Sequence, residues 1–248
     1  MPRKQKIIRN RIKVNHARTT LPTKAIPCYN RRMLKAILFD LDGTLLNTIA
    51  DINCALNKTL GTSFTTDDCS RFVGNGLMNA LKAALSTIGK TDVSAPALFE
   101  QFVANYRSCP VKYTKPYPGI VELLEELQHK GIGLGVYSNK EQVLTGTIVR
   151  TCLPSVKFDM VVGMHGGYEP KPSSQAIEAF CDKVGCSMDE LLYVGDSEVD
   201  YRTGMNASVA TAILTWGFRS KESLLGSGVP ESLFVDDIQG LRNRIETF

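Results

Sequence analysis

From residue 35 onward, short apolar runs alternate with longer amphipathic stretches, and this alternation constrains the fold more than any other feature. Residues 35–39 read Lys-Ala-Ile-Leu-Phe, which suits a strand buried on both faces. Comparable runs occupy 132–137, 160–162, 191–194 and 211–214. Between the strands, Val121, Leu124 and Leu127 have helical spacing and Gly131 follows, so a helix is expected over 120–130. A second helix is expected over 173–184, with Ala176, Ile177, Phe180 and Val184 on one side and Ser173 as a suitable cap. Ser187 and Glu190 have the spacing of a capping box, which predicts a short helix ahead of residue 191. Strand and helix in alternation predict an α/β fold, a parallel sheet covered by helices on both faces.

Residues 52–115 break this rhythm. They contain no convincing strand but several helical patterns, including Leu77, Leu81, Ala84 and Leu85, before Pro116 and Pro118-Gly119 mark a return. The expected organisation is therefore a basic extension over 1–32, a core over 33–51 and 116–248, and a small helical cap domain over 52–115. A chain of 248 residues has room for one good core and such an accessory unit.

Charge divides the chain at the same place. Residues 1–32 carry ten basic and no acidic residues, leaving 19 basic against 25 acidic for the rest. The formal +4 thus belongs to the extension, and the body, at −6, offers no nucleic-acid-binding face. The extension itself admits four readings: an organelle-targeting peptide, an arm for nucleic acid or an anionic membrane surface, a solvated appendage, or sequence upstream of a true start at Met33. No apolar run approaches the roughly 20 residues needed to cross a bilayer, and the first 33 residues hold no apolar core of a secretory signal. Seven scattered cysteines with no CxxC pair read as small buried hydrophobes in a reducing compartment, so a cytoplasmic location is expected. His16, His129 and His165 have no metal-ligand spacing and are expected to be structural or superficial. Gly131-x-Gly133-x-Gly135 lies within a strand rather than after one, which points to close backbone packing and not to a dinucleotide loop.

Three polar clusters follow predicted strands: Asp40-Leu41-Asp42-Gly43-Thr44, Ser138-Asn139-Lys140, and Gly195-Asp196-Ser197-Glu198-Val199-Asp200. In an open parallel sheet the carboxyl ends of the strands share one edge, where ligands bind. Lys171, just ahead of a predicted helix, can reach the same edge. A pocket gathering Asp40, Asp42, Asp196 and Asp200 is stable only with a cation or shared protons. Oxygen ligands without sulfur or imidazole favour a hard ion such as Mg²⁺. Lys171, Ser138 and the backbone N–H groups around Gly43 and Thr44 would then bind the oxygens of a phosphoryl group, which makes this a phosphoryl-transfer site.

DxDGT, a Ser after the second strand, a Lys before a helix and GDxxxD, in this order, resemble the four-part signature of the haloacid dehalogenase superfamily. The resemblance runs from about residue 34 to the C-terminus. It implies a Rossmann-like core with the cap inserted after the first strand. It also implies that Asp40 is a nucleophile forming an aspartyl phosphate, and that Asp42 is the general acid and then base. Asp40, Asp196 and the backbone carbonyl of Asp42 would hold Mg²⁺, with Asp200 supporting the site from its edge. Gly43, Thr44, Ser138, Asn139 and Lys171 would bind phosphate, and Thr44 would help to orient Asp42. The superfamily's dehalogenases and phosphonate hydrolases lack the second aspartate, so Asp42 points to phosphate esters.

Within the superfamily, Ser138-Asn139-Lys140, Val73-Gly74-Asn75-Gly76, Pro116-Tyr117-Pro118-Gly119 and the 195–200 cluster resemble phosphoglycolate phosphatases. That resemblance makes a small phosphorylated metabolite the expected partner and Arg71, Asn75 and Lys140 the candidate specificity residues, with Lys140 or Arg71 facing a substrate carboxylate. Other readings stay open: a sugar-phosphate mutase using the same intermediate, another phosphatase or pyrophosphatase of the superfamily, and a non-catalytic protein that kept the fold. Oligomeric state is not legible.

Overall fold

The structure, a computed structural model, describes residues 33–73 and 76–248. The basic extension over 1–32 and the candidate residue Asn75 lie outside the described residues.

Alternate residues of the first strand enter two different apolar clusters. In β1 (Ala36–Phe39), Ile37 and Phe39 join one cluster while Ala36 and Leu38 join the other, and all four are fully buried. This is the environment of a central strand in a sheet covered on both sides. The chain continues through β2 (Leu46–Asn47), α1 (Ile49–Leu60), α2 (Thr66–Phe72), α3 (Leu77–Thr87), α4 (Ala95–Ser108) and β3 (Lys115–Pro116). It then runs through α5 (Ile120–His129), β4 (Gly133–Glu141), α6 (Gln142–Cys152), β5 (Met160–Met164) and α7 (Gln175–Val184). The last elements are β6 (Leu191–Gly195), α8 (Glu198–Ala207), β7 (Ala210–Leu214), α9 (Lys221–Gly226), β8 (Phe234–Val235) and α10 (Ile238–Glu246).

Six strands form one sheet in the order β5-β4-β1-β6-β7-β8, each pairing parallel. Leu123, Leu124 and Leu127 of α5, Ile148 of α6 and Leu241 of α10 belong to the cluster over one face. Ala176, Ile177 and Phe180 of α7 and Ala207 of α8 belong to the cluster over the other. The α/β architecture expected from the alternation is the one observed. Close packing explains the glycines of β4: a Cβ on Gly135 would lie 2.6 Å from Leu38 Cδ1 and 2.8 Å from Phe180 Cε2.

Local differences from the sequence reading have local causes. β4 does not stop at Tyr137 but runs on to Glu141, with a register shift against β5 between those residues. The predicted helix at 173 begins at Gln175, and Ser173 Oγ accepts from the Gln175 N–H at 3.3 Å without being the cap residue. The Ser187–Glu190 capping box is present and closes a 3₁₀ turn.

Between β2 and β3 the chain is helical, starting at Ile49 rather than at residue 52. α1 packs on α4 and α2, and α3 packs on α2 and α4, with Leu77, Leu81, Ala84 and Leu85 buried. The two ends of this segment are pinned together. β2 and β3 pair antiparallel, Leu46 opposite Pro116; a two-residue strand has too short a period to be seen in sequence. Buried Asp51 on α1 accepts from the N–H groups of Tyr113 (2.9 Å) and Thr114 (2.8 Å) and from Thr114 Oγ1 (2.7 Å). No described helix is long and apolar enough to cross a membrane.

Asp51→Ala would leave these donors unpaired at 1–3 kcal/mol per group. We expect a loss of about 3 kcal/mol in urea unfolding; a loss below about 1 kcal/mol would show that Asp51 does not hold the segment's ends.

Candidate active site

The strands that carry the three polar clusters, β4, β1 and β6, are neighbours at the centre of the sheet. Their carboxyl ends therefore deliver Ser138, Asp40 and Asp196 to one place, at the point where the strand order reverses direction. One cleft is lined by Asp40, Asp42, Ser138, Asn139, Lys140, Lys171 and Asp196 from the sheet side. Ile52, Val73 and Leu77 from the helical segment form its apolar wall.

At its base, Lys171 Nζ lies 2.7 Å from Asp40 Oδ1 and 2.8 Å from Asp200 Oδ1, with all three groups buried. Carboxylate oxygens of Asp40, Asp196 and Asp200 lie within 4.8 Å of one another. Three carboxylates against one ammonium is an unbalanced buried charge, and the protonation equilibria register it. Burial pushes the Asp40 carboxyl up to about 7 although Lys171 opposes the rise. Burial, then Asp40, hold Asp196 well above the usual carboxylate range. Burial would raise Asp200 too, but Lys171 and the hydroxyls of Ser197 and Tyr193 outweigh it and keep that carboxyl low. Burial by itself would lower Lys171, yet Asp200 and Asp40 raise it above the ordinary lysine value.

Asp200 is a structural anion. Its Oδ1 accepts from Lys171 and from Tyr193 Oη (2.9 Å), and its Oδ2 from Ser197 Oγ at 2.6 Å. Asp196 is instead positioned by the main chain: Phe218 N–H donates to its Oδ2 at 2.8 Å. Space for its carboxylate exists only because two neighbours lack side chains. A Cβ on Gly43, whose φ is +84°, would lie 2.2 Å from Asp196 Oδ2, and one on Gly217 2.3 Å. The uncompensated charge, the all-oxygen donor set of Asp40 and Asp196, and this cradle together fit a hard divalent cation.

Asp42 is held by a different set. Its Oδ1 accepts from Thr48 Oγ1 at 2.5 Å and from Lys140 Nζ at 2.6 Å. Thr44, expected to orient Asp42, turns the other way and lies 3.4 Å from Asp196 Oδ1. Asn139 commits its side-chain amide to the main chain of Lys171, donating to its carbonyl (3.0 Å) and accepting from its N–H (2.8 Å). Lys140 is not a solvated charge: its side chain is 1% exposed. Arg71 lies on α2, 74% exposed, 3.8 Å from Asp68, and is not among the residues lining the cleft.

Residues absent from the sequence reading also face the cleft. Phe218 and Arg219 follow β7, and the strand-end rule that found the other clusters would have found Trp216-Gly217-Phe218-Arg219. Arg219 Nε lies 3.2 Å from Glu198 Oε2, and its Nη1 donates to the Ser70 carbonyl of α2 at 3.1 Å. Tyr106 of α4 reaches Lys140 Nζ at 2.6 Å; no local pattern marks it.

Comparison with known proteins agrees with this geometry. The family described as "Haloacid dehalogenase-like hydrolase" matches residues 37–214, and the chain belongs to that family. The phosphoglycolate phosphatase of Aquifex aeolicus is 35% identical over 189 residues, covering 75% of this chain and 86% of its own. That of Rhodospirillum rubrum is 32% identical over 206 residues, covering 79% and 85%. Among solved structures, a candidate phosphoglycolate phosphatase from Lactobacillus delbrueckii subsp. bulgaricus superposes with a TM-score of 0.76 at 30% identity, covering 86% of this chain and 98% of that one.

Lys171→Met would leave Asp40 and Asp200 facing each other with no cation between them. Breaking a buried ion pair in this way costs about 3–5 kcal/mol, which urea unfolding in the absence of divalent metal would show. Unchanged stability would contradict the assignment of Lys171 as the cluster's counter-ion.

Proposed function

We propose that the chain is a Mg²⁺-dependent phosphatase that hydrolyses phosphoglycolate through an aspartyl phosphate on Asp40. The observation that carries this reading is the buried Asp40 carboxylate, aimed from the end of the central strand into the cleft and held 2.7 Å from Lys171.

Asp40 would hold the divalent cation together with Asp196, and Asp200 would support the site from its buried base through Lys171. When bound, the cation neutralises phosphate charge and lets the anionic nucleophile approach an anionic ester. A carboxylate oxygen of Asp40 attacks phosphorus, and the bond to the leaving oxygen breaks. Asp42 gives its proton to that oxygen as the alcohol departs. The same carboxylate then takes a proton from water, which attacks the acyl phosphate and releases inorganic phosphate with Asp40 regenerated. Ser138 and Lys171 supply donors for the phosphoryl oxygens; the Gly43 N–H, expected from the sequence to join them, is instead donated to the Leu46 carbonyl at 2.9 Å. Residues 52–115 act as a cap whose apolar wall excludes water from the acyl phosphate.

Phosphoglycolate needs a further cation for its carboxylate. Lys171 faces Asp40 and Asp200, and Lys140 faces Asp42. Arg219 lines the same cleft and also faces a carboxylate, Glu198. A guanidinium has five N–H donors, however, and among the described residues only Nε and Nη1 are given to Glu198 and the Ser70 carbonyl. It is the side chain to which we assign that role in place of Arg71. The names of the bacterial relatives support the substrate.

Phosphate release from a panel of phosphate monoesters with Mg²⁺ tests the proposal. The expected result is turnover that requires Mg²⁺, prefers 2-phosphoglycolate and falls by at least about 10³-fold in Asp40→Asn. Release unaffected by Asp40→Asn sinks the nucleophile, and an equal response to all esters sinks the substrate.

A further inference from the structure

The helical segment brings to the Asp42 side of the site a buried side chain that the hydrolytic scheme above does not use. Tyr106, on α4, is 1% exposed, and its hydroxyl oxygen accepts from Lys140 Nζ at 2.6 Å. The same ammonium donates to Asp42 Oδ1 at 2.6 Å. The Lys140 nitrogen lies 4.7 Å from the Tyr106 ring centroid, so the short contact is to the hydroxyl and not to the ring face.

The placement of the ammonium follows from its burial. A lysine head group withdrawn from water must have its donors satisfied. One donor reaches the carboxylate and a second reaches Tyr106, so the two acceptors define where the nitrogen sits. Thr48 Oγ1 donates to the same Oδ1 at 2.5 Å. Both hydrogen bonds to the Asp42 side chain thus converge on one oxygen. Among the described residues none falls on Oδ2, although 15% of the side chain remains exposed at the cleft. A carboxylate held through one oxygen in this way presents the other for proton exchange.

We propose that Tyr106 is a positioning residue. It holds the Lys140 ammonium on Oδ1 of Asp42, so that Oδ2 carries the proton delivered to the leaving alkoxide. Tyr106 touches neither ester nor metal in this scheme, and acts through Lys140. The proposal rests on the role assigned to Asp42 above. It gives the helical segment a part in the proton transfer itself, beyond covering the site: α4 packs on α1, and through Tyr106 its position is linked to the orientation of the acid. It also gives Lys140 a role different from binding a substrate carboxylate.

The test is Tyr106→Phe, which keeps the ring and removes the acceptor, with Lys140→Met as a second variant that removes the ammonium itself. Three substrates are compared by kcat/KM, which contains only steps up to departure of the leaving group. 2-Phosphoglycolate and ethyl phosphate have alkoxide leaving groups that need a proton; 4-nitrophenyl phosphate releases a phenolate that does not. The expected result is a loss of about tenfold or more on both alkyl esters, several-fold larger than the loss on 4-nitrophenyl phosphate. Both variants should show this pattern, with thermal unfolding confirming that they are folded. Equal losses on all three esters would mean that Tyr106 serves packing alone and would overturn the proposal. A loss confined to 2-phosphoglycolate, expressed in KM, would overturn it in favour of Lys140 as the carboxylate anchor. Wild-type protein that cleaves ethyl phosphate but not 2-phosphoglycolate would defeat the substrate reading only, leaving the comparison between leaving groups to judge Tyr106.

Discussion

A single ammonium group between two carboxylates makes the rest of this site possible. Lys171 meets Asp40 at 2.7 Å and Asp200 at 2.8 Å inside the protein, where unpaired charge is costly. Several neighbouring features are arranged around that pairing. Asn139 clamps the Lys171 main chain from the end of β4. Tyr193 shares Oδ1 of Asp200 with Lys171, and Ser197 donates to Oδ2. With Asp200 fully committed, the charge that remains uncompensated is on Asp40 and Asp196. These are the two carboxylates that Gly43 and Gly217 leave room for or that open onto the cleft. The site is thereby divided into a neutralised structural half and an anionic half suited to a cation and a phosphoryl group.

The fold serves this division by topology. Every chemically important carboxylate follows a buried strand of the parallel sheet, and parallel strands end together. The helical segment leaves after β1 and returns before α5, its two ends held by the β2–β3 ribbon and by Asp51. Its residues reach the cleft in two chemically distinct ways. Ile52, Val73 and Leu77 supply an apolar wall, while Tyr106 and the Ser70 carbonyl each take a hydrogen bond from a cation of the core, Lys140 and Arg219.

Much of this was legible in the sequence, for physical reasons that also explain what was not. The sheet could be read because a strand buried on both faces must be apolar throughout, as residues 36–39 are. The acidic site could be read because strand-end clusters in a parallel sheet converge whatever their separation in sequence. Side-chain orientation within those clusters could not. Thr44 and Thr48 are both plausible partners for Asp42, and only the turn geometry assigns Thr48 to it and Thr44 to Asp196. Asn139 looked like a phosphate ligand, but its amide matches the peptide group of Lys171, a contact across 32 residues. Arg71 has the right charge on the outward face of its helix. Tyr106 lay beyond reach because its partner is set by how α4 packs on α1, and packing between helices leaves no local signature.

The proposed reaction turns on covalent phosphorylation of Asp40 during turnover. Rapid mixing of the protein with Mg²⁺ and phosphate-labelled 2-phosphoglycolate, acid quenching and peptide mass spectrometry would test it most directly. The expected result is a phosphoryl group on Asp40, formed within the first turnover, labile in mild alkali and absent from Asp40→Asn. Phosphate released without any labelled protein, or a label on a residue other than Asp40, would contradict it.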